Sequence, residues 1–473
     1  MSAECIGGCG SQGGPSHTRA LTTAAYCSAL FLGGLCVNII GPAGPTLARS
    51  MHTSVAMIGN IFAAEGAGNT LGSSLISALL DRFSGHTLIA SICLLLFFVV
   101  GLVPSCTSIA HVVVLYMIVG GCLGLMCGAS NTLVTWVHAG SNVGPWVNLI
   151  NASFGLGASC APLLFVAVEQ RVGNGLAAFS AIGVFAMVPA LATMLLPSPA
   201  RPPPKQLPQG TERDEEEEEE SARHPLRGLG IGRGASTFAG IDLGSRATYV
   251  RVTVVAPLMA VVTLVIGAEI AFAGWIYTYA IERAGMKREA AAYLNSLFWT
   301  TFTVGRVCTI PLAACLSPGM LLVPTLVLEV ASVVGILAAP GSESVLWLCT
   351  VGAGVGCCAL YSNVLSLLAT YELLTASTVS LIGMASALGH MTIPNLVGFT
   401  MHTGVLGNDA LVWIVAVANV LGLSLVSAVV VHLWRHFTPN PESVQGRWMR
   451  KQRQQQQQQY EQKLEQEQEL IAL

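Results

Sequence analysis

Charge is scarce in this sequence. Of 473 residues 10% are charged, 22 Lys and Arg against 25 Asp and Glu, where a soluble domain carries about 25%. So few charges cannot cover a water-facing surface, which excludes an ordinary soluble globule. The net charge of −3 and the lack of any basic stripe leave nothing to neutralise phosphates, so no nucleic-acid partner is expected. The 14 cysteines contain no C-x-x-C pair, which removes the usual zinc and thiol-redox patterns. Most, such as Cys93, Cys122, Cys160 and Cys308, stand in apolar runs as small packing residues. There is no H-E-x-x-H, G-x-S-x-G, Walker or paired-carboxylate constellation, so the chain does not read as an enzyme. No catalytic residue, metal ligand or cofactor is assigned. Residues 1–19 are polar and Gly-rich and lack the charged and apolar regions of a signal peptide, so the first apolar run reads as a retained helix.

What the sequence has is long apolar runs. A spanning helix needs about 20 mostly apolar residues. Runs of that kind cover about 20–42, 55–80, 86–104, 109–137, 145–168 and 174–196, then about 251–281, 289–313, 319–339, 344–371, 375–400 and 408–434. The fold class is therefore an all-α membrane protein with twelve transmembrane helices. A polar N-terminal tail (1–19) precedes a six-helix half (20–196). A second six-helix half (251–434) follows the stretch 197–250, which contains RPPPK and ERDEEEEEE. That stretch cannot form a core and is expected to be a disordered cytoplasmic loop. Residues 435–473 form a Gln/Glu-rich cytoplasmic tail. With both termini inside, the cytoplasmic segments hold 16 Lys and Arg and the outer loops five, in line with the positive-inside rule.

Inside the runs the ionisable residues are few: Glu65, Glu269, Arg306, Glu329 and His390. A carboxylate in a membrane core costs about 2.5–3.5 kcal/mol on insertion scales, so each must be paired or face a cavity. Asparagines are unusually frequent there, among them Asn38, Asn69, Asn131, Asn148, Asn151, Asn295, Asn363 and Asn395. Asn295, Trp299, Phe302 and Arg306 form one helical stripe. Glu269 shares its face with Phe272, Ala273, Ile276 and Ala280, so its polar partner must come from another helix or a ligand. Each asparagine alone reads as an interhelical hydrogen bond worth about 0.6 kcal/mol. The whole set reads as a shared polar cavity. Amides exchange hydrogen bonds with hydroxyls in both directions, which with the aromatic rings suits a neutral polyhydroxylated solute. Arg306, towards a helix end, suits a gate contact. Gly68/Gly72, Gly120/Gly124/Gly128 and Gly352/Gly356 carry the small-residue spacing of close helix packing.

The stretch GSSLISALLDRFSGH (72–86) resembles the G-x-x-x-D-R-x-G signature of the major facilitator superfamily. Asp81 and Arg82 match, Ser77 stands at the first Gly, and Gly85 falls one place late. LGGLCVNIIGPAGPTL (32–47), NLINASFGLGASCAPLL (148–164), GAEIAFAGWIYTYAI (267–281), LNSLFWTTFTVGR (294–306) and ALGHMTIPNLVG (387–398) are similar to the fucose–proton symporter family, in particular its animal branch. The resemblance implies two pseudo-symmetric six-helix halves around a central sugar site. Asn131, Asn151, Glu269, Trp275, Asn295 and Trp299 fall on matching positions. Where bacterial members carry coupling carboxylates in spans 1 and 4, this chain has Asn38, Cys127 and Asn131. Ion coupling, by H+ or Na+, would then fall to Glu269, Glu65 or Glu329.

The resulting expectation is a secondary transporter of a small neutral, hexose-like solute, working by alternating access. Asn38, Asn131, Asn148, Asn151, Glu269, Trp275, Asn295, Trp299, Asn363 and His390 would bind the solute, and Asp81, Arg82 and Arg306 would gate. The alternative is a non-transporting receptor or scaffold on the same fold. The partners implied are the solute and the lipid bilayer, in the plasma membrane or an organelle membrane; nothing identifies a protein partner.

Overall fold

The structure, a computed structural model, describes residues 16–139, 143–201, 246–404, 406–439 and 446. Most of the N-terminal tail, of the acidic loop and of the Gln-rich tail lies outside the described residues. Within them all regular structure is helical. The N-terminal helices are α1 (Ser16–Asn38), α2 (Ile40–Ser50), α3 (Gly59–Arg82), α4 (Gly85–Leu102), α5 (Ile109–Val137), α6 (Gly144–Val172), α7 (Ala177–Phe185) and α8 (Met187–Leu195). The C-terminal helices are α9 (Arg246–Val250), α10 (Ala256–Glu282), α11 (Arg288–Cys315), α12 (Pro318–Ala338), α13 (Glu343–Cys357), α14 (Leu360–Thr370), α15 (Ala376–Thr403) and α16 (Ala410–His436). Among the described residues, nine helical stretches are long and apolar enough to cross a membrane. The runs at 55–80, 289–313 and 375–400 form α3, α11 and α15, of 24, 28 and 28 residues. At about 1.5 Å per residue these also reach across a bilayer. They are more polar, because they carry Glu65, Asn295, Arg306 and His390.

Local chemistry ends the helices cleanly. The Ser84 and Ser108 hydroxyls accept hydrogen bonds from the backbone N–H groups of Thr87 and Ala110, and Thr375 forms a capping box with Thr378. Each satisfies an N–H that has no partner within its helix. α6 stops at Gly173, whose φ of 77° is the left-handed conformation glycine adopts without strain. Along the helices the small-residue spacings act in packing. A Cβ at Gly68 or Gly72 would run into the carbonyls of Met117 and Gly121, and one at Gly120 or Gly124 into those of Glu65 and Asn69. α3 and α5 thus touch backbone to backbone.

Two sequence boundaries need correction. The first apolar run, 20–42, is not one helix. It begins at Ser16, breaks at Ile39 and continues as α2 to Ser50. Pro42 has no N–H to return to Asn38, so the ladder is interrupted there. The stretch read as loop to residue 250 already turns helical at Arg246 and passes through a π-helical turn, Arg251–Val255, into α10. Val254 and Val255 are buried there, and the Tyr249 hydroxyl lies 3.2 Å from His432 Nε2.

The two sets of helices meet unevenly. At the end carrying Arg49, Glu169 and Arg288, α2 packs on α10, α3 and the turn Val55–Ile58 pack on α15, and α6 packs on α11. One apolar core runs through both sets there, joining Ile40, Ala43 and Phe62 to Phe272, Trp275 and Ile276. Towards the end carrying Asp81 and Tyr371, the C-terminal helices have a core of their own around Leu258, Leu326, Val364 and Leu433. The molecule is closed at one end and split at the other. By the distribution of Lys and Arg, the split end is the one expected to face the cytoplasm.

Candidate functional site

Two clefts lie where the sets meet. One is bounded by α6 and α11 and lined by Asn148, Asn151, Phe154, Phe302, Thr303 and Arg306, among others. The smaller has Asn38, Phe62, Ala273, Gly274 and Trp299 among its lining residues, drawn from α1, α3, α10 and α11.

Asn38, Asn148, Asn151, Trp299 and Arg306 line these clefts. Asn151 Nδ2 donates to Asn131 Oδ1 at 2.8 Å and to the Val147 carbonyl at 2.8 Å, while Asn131 Nδ2 donates to the Cys127 carbonyl at 2.9 Å. These bonds join α5 to α6, and among the described residues no donor hydrogen-bonds the Asn151 side-chain oxygen. Asn38 donates to the Gly34 carbonyl, a turn before the break in α1–α2. Asn295 donates to the Ala273 carbonyl at 3.0 Å, but its Oδ1 is buried without a partner among the described residues. Trp299 is 2% exposed and its indole N–H also has none, nor does Asn363 Nδ2 on the first turn of α14. A buried unmet donor or acceptor costs about 1–3 kcal/mol. Trp299 lines the smaller cleft and Asn295 binds Ala273 at its edge; unmet atoms of this kind are what a site built for a hydroxylated ligand would show.

Glu269 is 7% exposed, and no group among the described residues hydrogen-bonds its carboxylate. Arg306 is anchored rather than loose. Its Nε donates to the Cys358 carbonyl at 3.0 Å, and its guanidinium lies 4.5 Å from the centre of the Phe302 ring. Cys358 sits at the break between α13 and α14, so Arg306 binds one of the carbonyls beside that interruption. A discontinuous helix at a binding site is a recurrent transporter feature.

Other assigned residues are placed differently. Trp275 lines neither cleft. It is 1% exposed, donates to the Pro394 carbonyl at 3.0 Å and packs against Phe62, so it belongs to the closed end. His390 also faces away from solvent, with Nε2 3.6 Å from Glu65 Oε2. Glu329 sits in the C-terminal set, where it accepts from Asn419 Nδ2 at 2.8 Å and packs under Gly356. Asp81 pairs with Arg201 at 2.7 Å, both side chains exposed. That partner follows α8, so the expected contact from Asp81 to the C-terminal helices is not made in this conformation. Arg82 is exposed at the same end.

Sequence reasoning missed the contacts that close the other end. Arg288 Nη1 pairs with Glu169 Oε1 at 2.5 Å, and Gln170 Nε2 donates to Glu289 at 3.2 Å. Ser296 donates to the Ser159 carbonyl at 2.6 Å, and Asn395 to Asn60 Oδ1 at 3.0 Å. Charges at span ends look like ordinary interfacial residues, and no periodicity links groups more than a hundred positions apart.

Comparison with known proteins agrees with this architecture. Over 428 residues the chain is 26% identical to sodium-dependent glucose transporter 1 of Danio rerio, a match that covers 81% of this chain and 65% of the relative. The chain thus spans less than two thirds of that protein's length. It is 28% identical over 137 residues to major facilitator superfamily domain-containing protein 4A of Xenopus tropicalis, covering 28% of this chain and 26% of that one. The crystal structure of a mutant of the nucleoside transporter NupG superposes with a TM-score of 0.64 at 14% identity, over 87% of this chain and 99% of that one. Residues 26–394 match the Major Facilitator Superfamily, and the chain, an integral multi-pass membrane protein, belongs to that family.

Proposed function

We propose that the protein is a secondary transporter that moves a small neutral solute, a hexose-like sugar, by alternating access. α3, α11 and α15 cross the bilayer with the nine more apolar spans, giving twelve helices in two pseudo-symmetric halves, α1–α8 and α9–α16. The clefts between the halves open towards the cytoplasm, and the plasma membrane is the expected location. The observation that carries this reading is the pair of buried polar atoms at the smaller cleft, Asn295 Oδ1 and Trp299 Nε1, which have no partner among the described residues; Glu269 on α10 is likewise without a hydrogen bond among them. Sugar hydroxyls meet such atoms from both sides, as donors and as acceptors. The glucose-transporter name of the relatives points the same way.

In this mechanism the solute enters one cleft, satisfies Asn295, Trp299 and Glu269, and is sealed in by rocking of one half against the other. Only contacts that differ between the two states can drive that motion. Coupling to H+ or Na+ would fall to Glu269, the carboxylate nearest the clefts. The test is uptake of a panel of radiolabelled hexoses, amino acids and nucleosides into proteoliposomes, with and without a sodium or pH gradient. Saturable hexose uptake is expected. Transport of only another class would replace the solute, and binding without flux would favour a receptor.

A further inference from the structure

We infer that Glu65 and His390 form a charge latch that holds the Arg49 end closed, and that the protonation of His390 sets its strength. The inference rests on the alternating-access reading. The two side chains come from opposite sets of helices, Glu65 from α3 and His390 from α15, and approach to 3.6 Å. Glu65 is 1% and the His390 side chain 12% exposed. Neither Glu65 Oε2 nor His390 Nε2 has a hydrogen-bond partner among the described residues. The two helices approach closely at this level. A Cβ at Gly66 would lie 2.8 Å from Met391 Cγ and 3.5 Å from the His390 ring.

The spacing decides what the contact is worth. At 3.6 Å it is too long for a good neutral hydrogen bond. Coulomb attraction falls off far more slowly and is strong away from water. A neutral imidazole therefore contributes little across this gap, and an imidazolium contributes much. The groups facing His390 are accounted for element by element. α3 supplies Glu65, and α10 supplies Glu269, close enough to act on His390 electrostatically. The turn Val55–Ile58 has no ionisable residue. In the turn Gly407–Asp409, Asp409 is engaged by Arg283. The ionisable residues of α16 are His432, Arg435 and His436, in its last turns at the far end. His390 thus stands between one acid of its own set and one of the other. Only the Glu65 contact is lost when the sets separate at this level. The Glu65–imidazolium attraction exists only while the sets are together, so a fall in pH favours closure.

The test is a distance measurement that needs no solute. Nitroxides are carried on genetically encoded side chains at Ser50 and Lys287, both exposed at the closed end, with the full chain in lipid nanodiscs. The ratio of open to closed distances is expected to rise at least about tenfold between about pH 5 and pH 8, within the usual range of coupling between sites. Glu65→Gln and His390→Gln, each isosteric enough to keep the packing, should each shift the wild-type protein at low pH towards the open distance and abolish the pH response. A wild-type distribution that ignores pH, or a pH response that survives in either variant, would overturn the latch. Because no flux is measured, failure of hexose uptake would remove the transport reading and leave this result standing.

Discussion

Glu269 is the residue on which the solute-binding reading can be broken. It is 7% exposed, and no described protein group hydrogen-bonds it. If the solute supplies the missing donor, a charge-assisted bond worth about 1.5–3 kcal/mol is at stake. That is about a 10- to 150-fold loss of apparent affinity on removal. Glu269→Gln keeps the shape and an acceptor oxygen, so the variant should fold and retain solute exchange with a KM raised towards the lower bound. It should lose accumulation driven by an ion gradient. Glu269→Leu leaves a solute hydroxyl facing methyl groups and should lose exchange as well. The assay pairs counterflow and gradient-driven uptake with thermal unfolding of the same purified variants. If Glu269 instead braced two helices, breaking that buried contact would cost about 3–5 kcal/mol of stability, and surviving protein would transport normally. A Glu269→Leu protein with wild-type flux refutes the reasoning outright.

Three further outcomes follow from the packing and the gates. Arg288→Gln should release the pair with Glu169, a partly exposed contact worth about 0.2–1 kcal/mol. It should therefore shift the protein towards the outward-open state by at most about fivefold, read from the same nitroxide distances, and the charge exchange Glu169→Arg with Arg288→Glu should restore the balance. Gly120→Val places branched carbons on the Glu65 carbonyl and should lower stability by about 1–3 kcal/mol or block insertion. Gly101→Ala, with nothing within 4 Å of its Cβ position, should match wild type in unfolding and yield, and an equal loss in both would show that the helix contact is not what matters. Deletion of residues 208–222 should leave flux unchanged, since a linker's closure entropy varies slowly with length; a variant that inserts normally yet fails to transport would show that the acidic run takes part.

The fold was legible where one physical effect dominates. A bilayer demands about 20 apolar residues per crossing and satisfied backbone throughout, so runs such as 109–137 and 408–434 translate directly into α5 and α16. The glycine spacing marked helices built for close packing, because only glycine permits so near a carbonyl approach, but not that α3 and α5 would be partners. The breaks at Ile39 and at Cys358–Ala359 were hidden, because hydropathy sums a run and does not notice one lost ladder bond. Around the clefts, Trp299 and Arg306 were readable as one stripe at helical spacing, whereas the bond of Asn151 to Asn131 joins two helices and no periodicity links it. Trp275 was misplaced because an indole in an apolar helix looks alike whether its N–H waits for a ligand or, as here, is taken by the Pro394 carbonyl 119 positions away.

The two kinds of helix contact in this molecule differ in a way that alternating access requires. Within a set, α3 and α5 meet through backbone atoms that no side chain can intervene between, and such a contact cannot be undone without pulling helices apart in lipid. Between the sets, besides the Glu65–His390 contact, the polar closure consists of single side-chain bonds, Ser296 to Ser159, Asn395 to Asn60 and Gln170 to Glu289, with the partly exposed pair of Arg288 and Glu169. At typical worth these amount to roughly 2–6 kcal/mol. Reversing a two-state population from 1:99 to 99:1 takes about 5.5 kcal/mol. The polar closure is thus of a size that the differential binding of one small solute can offset, provided the apolar area freed at one end is covered again at the other. The tightest glycine contacts, where a Cβ would run into a carbonyl oxygen at Gly68, Gly72, Gly120 and Gly124, stay inside a set; between the sets the approach is looser, 2.9 Å from a Gly398 Cβ to the Ala56 carbonyl and 3.1 Å from a Gly59 Cβ to Asn395 Cα, so the seam can part where the contacts inside a set cannot.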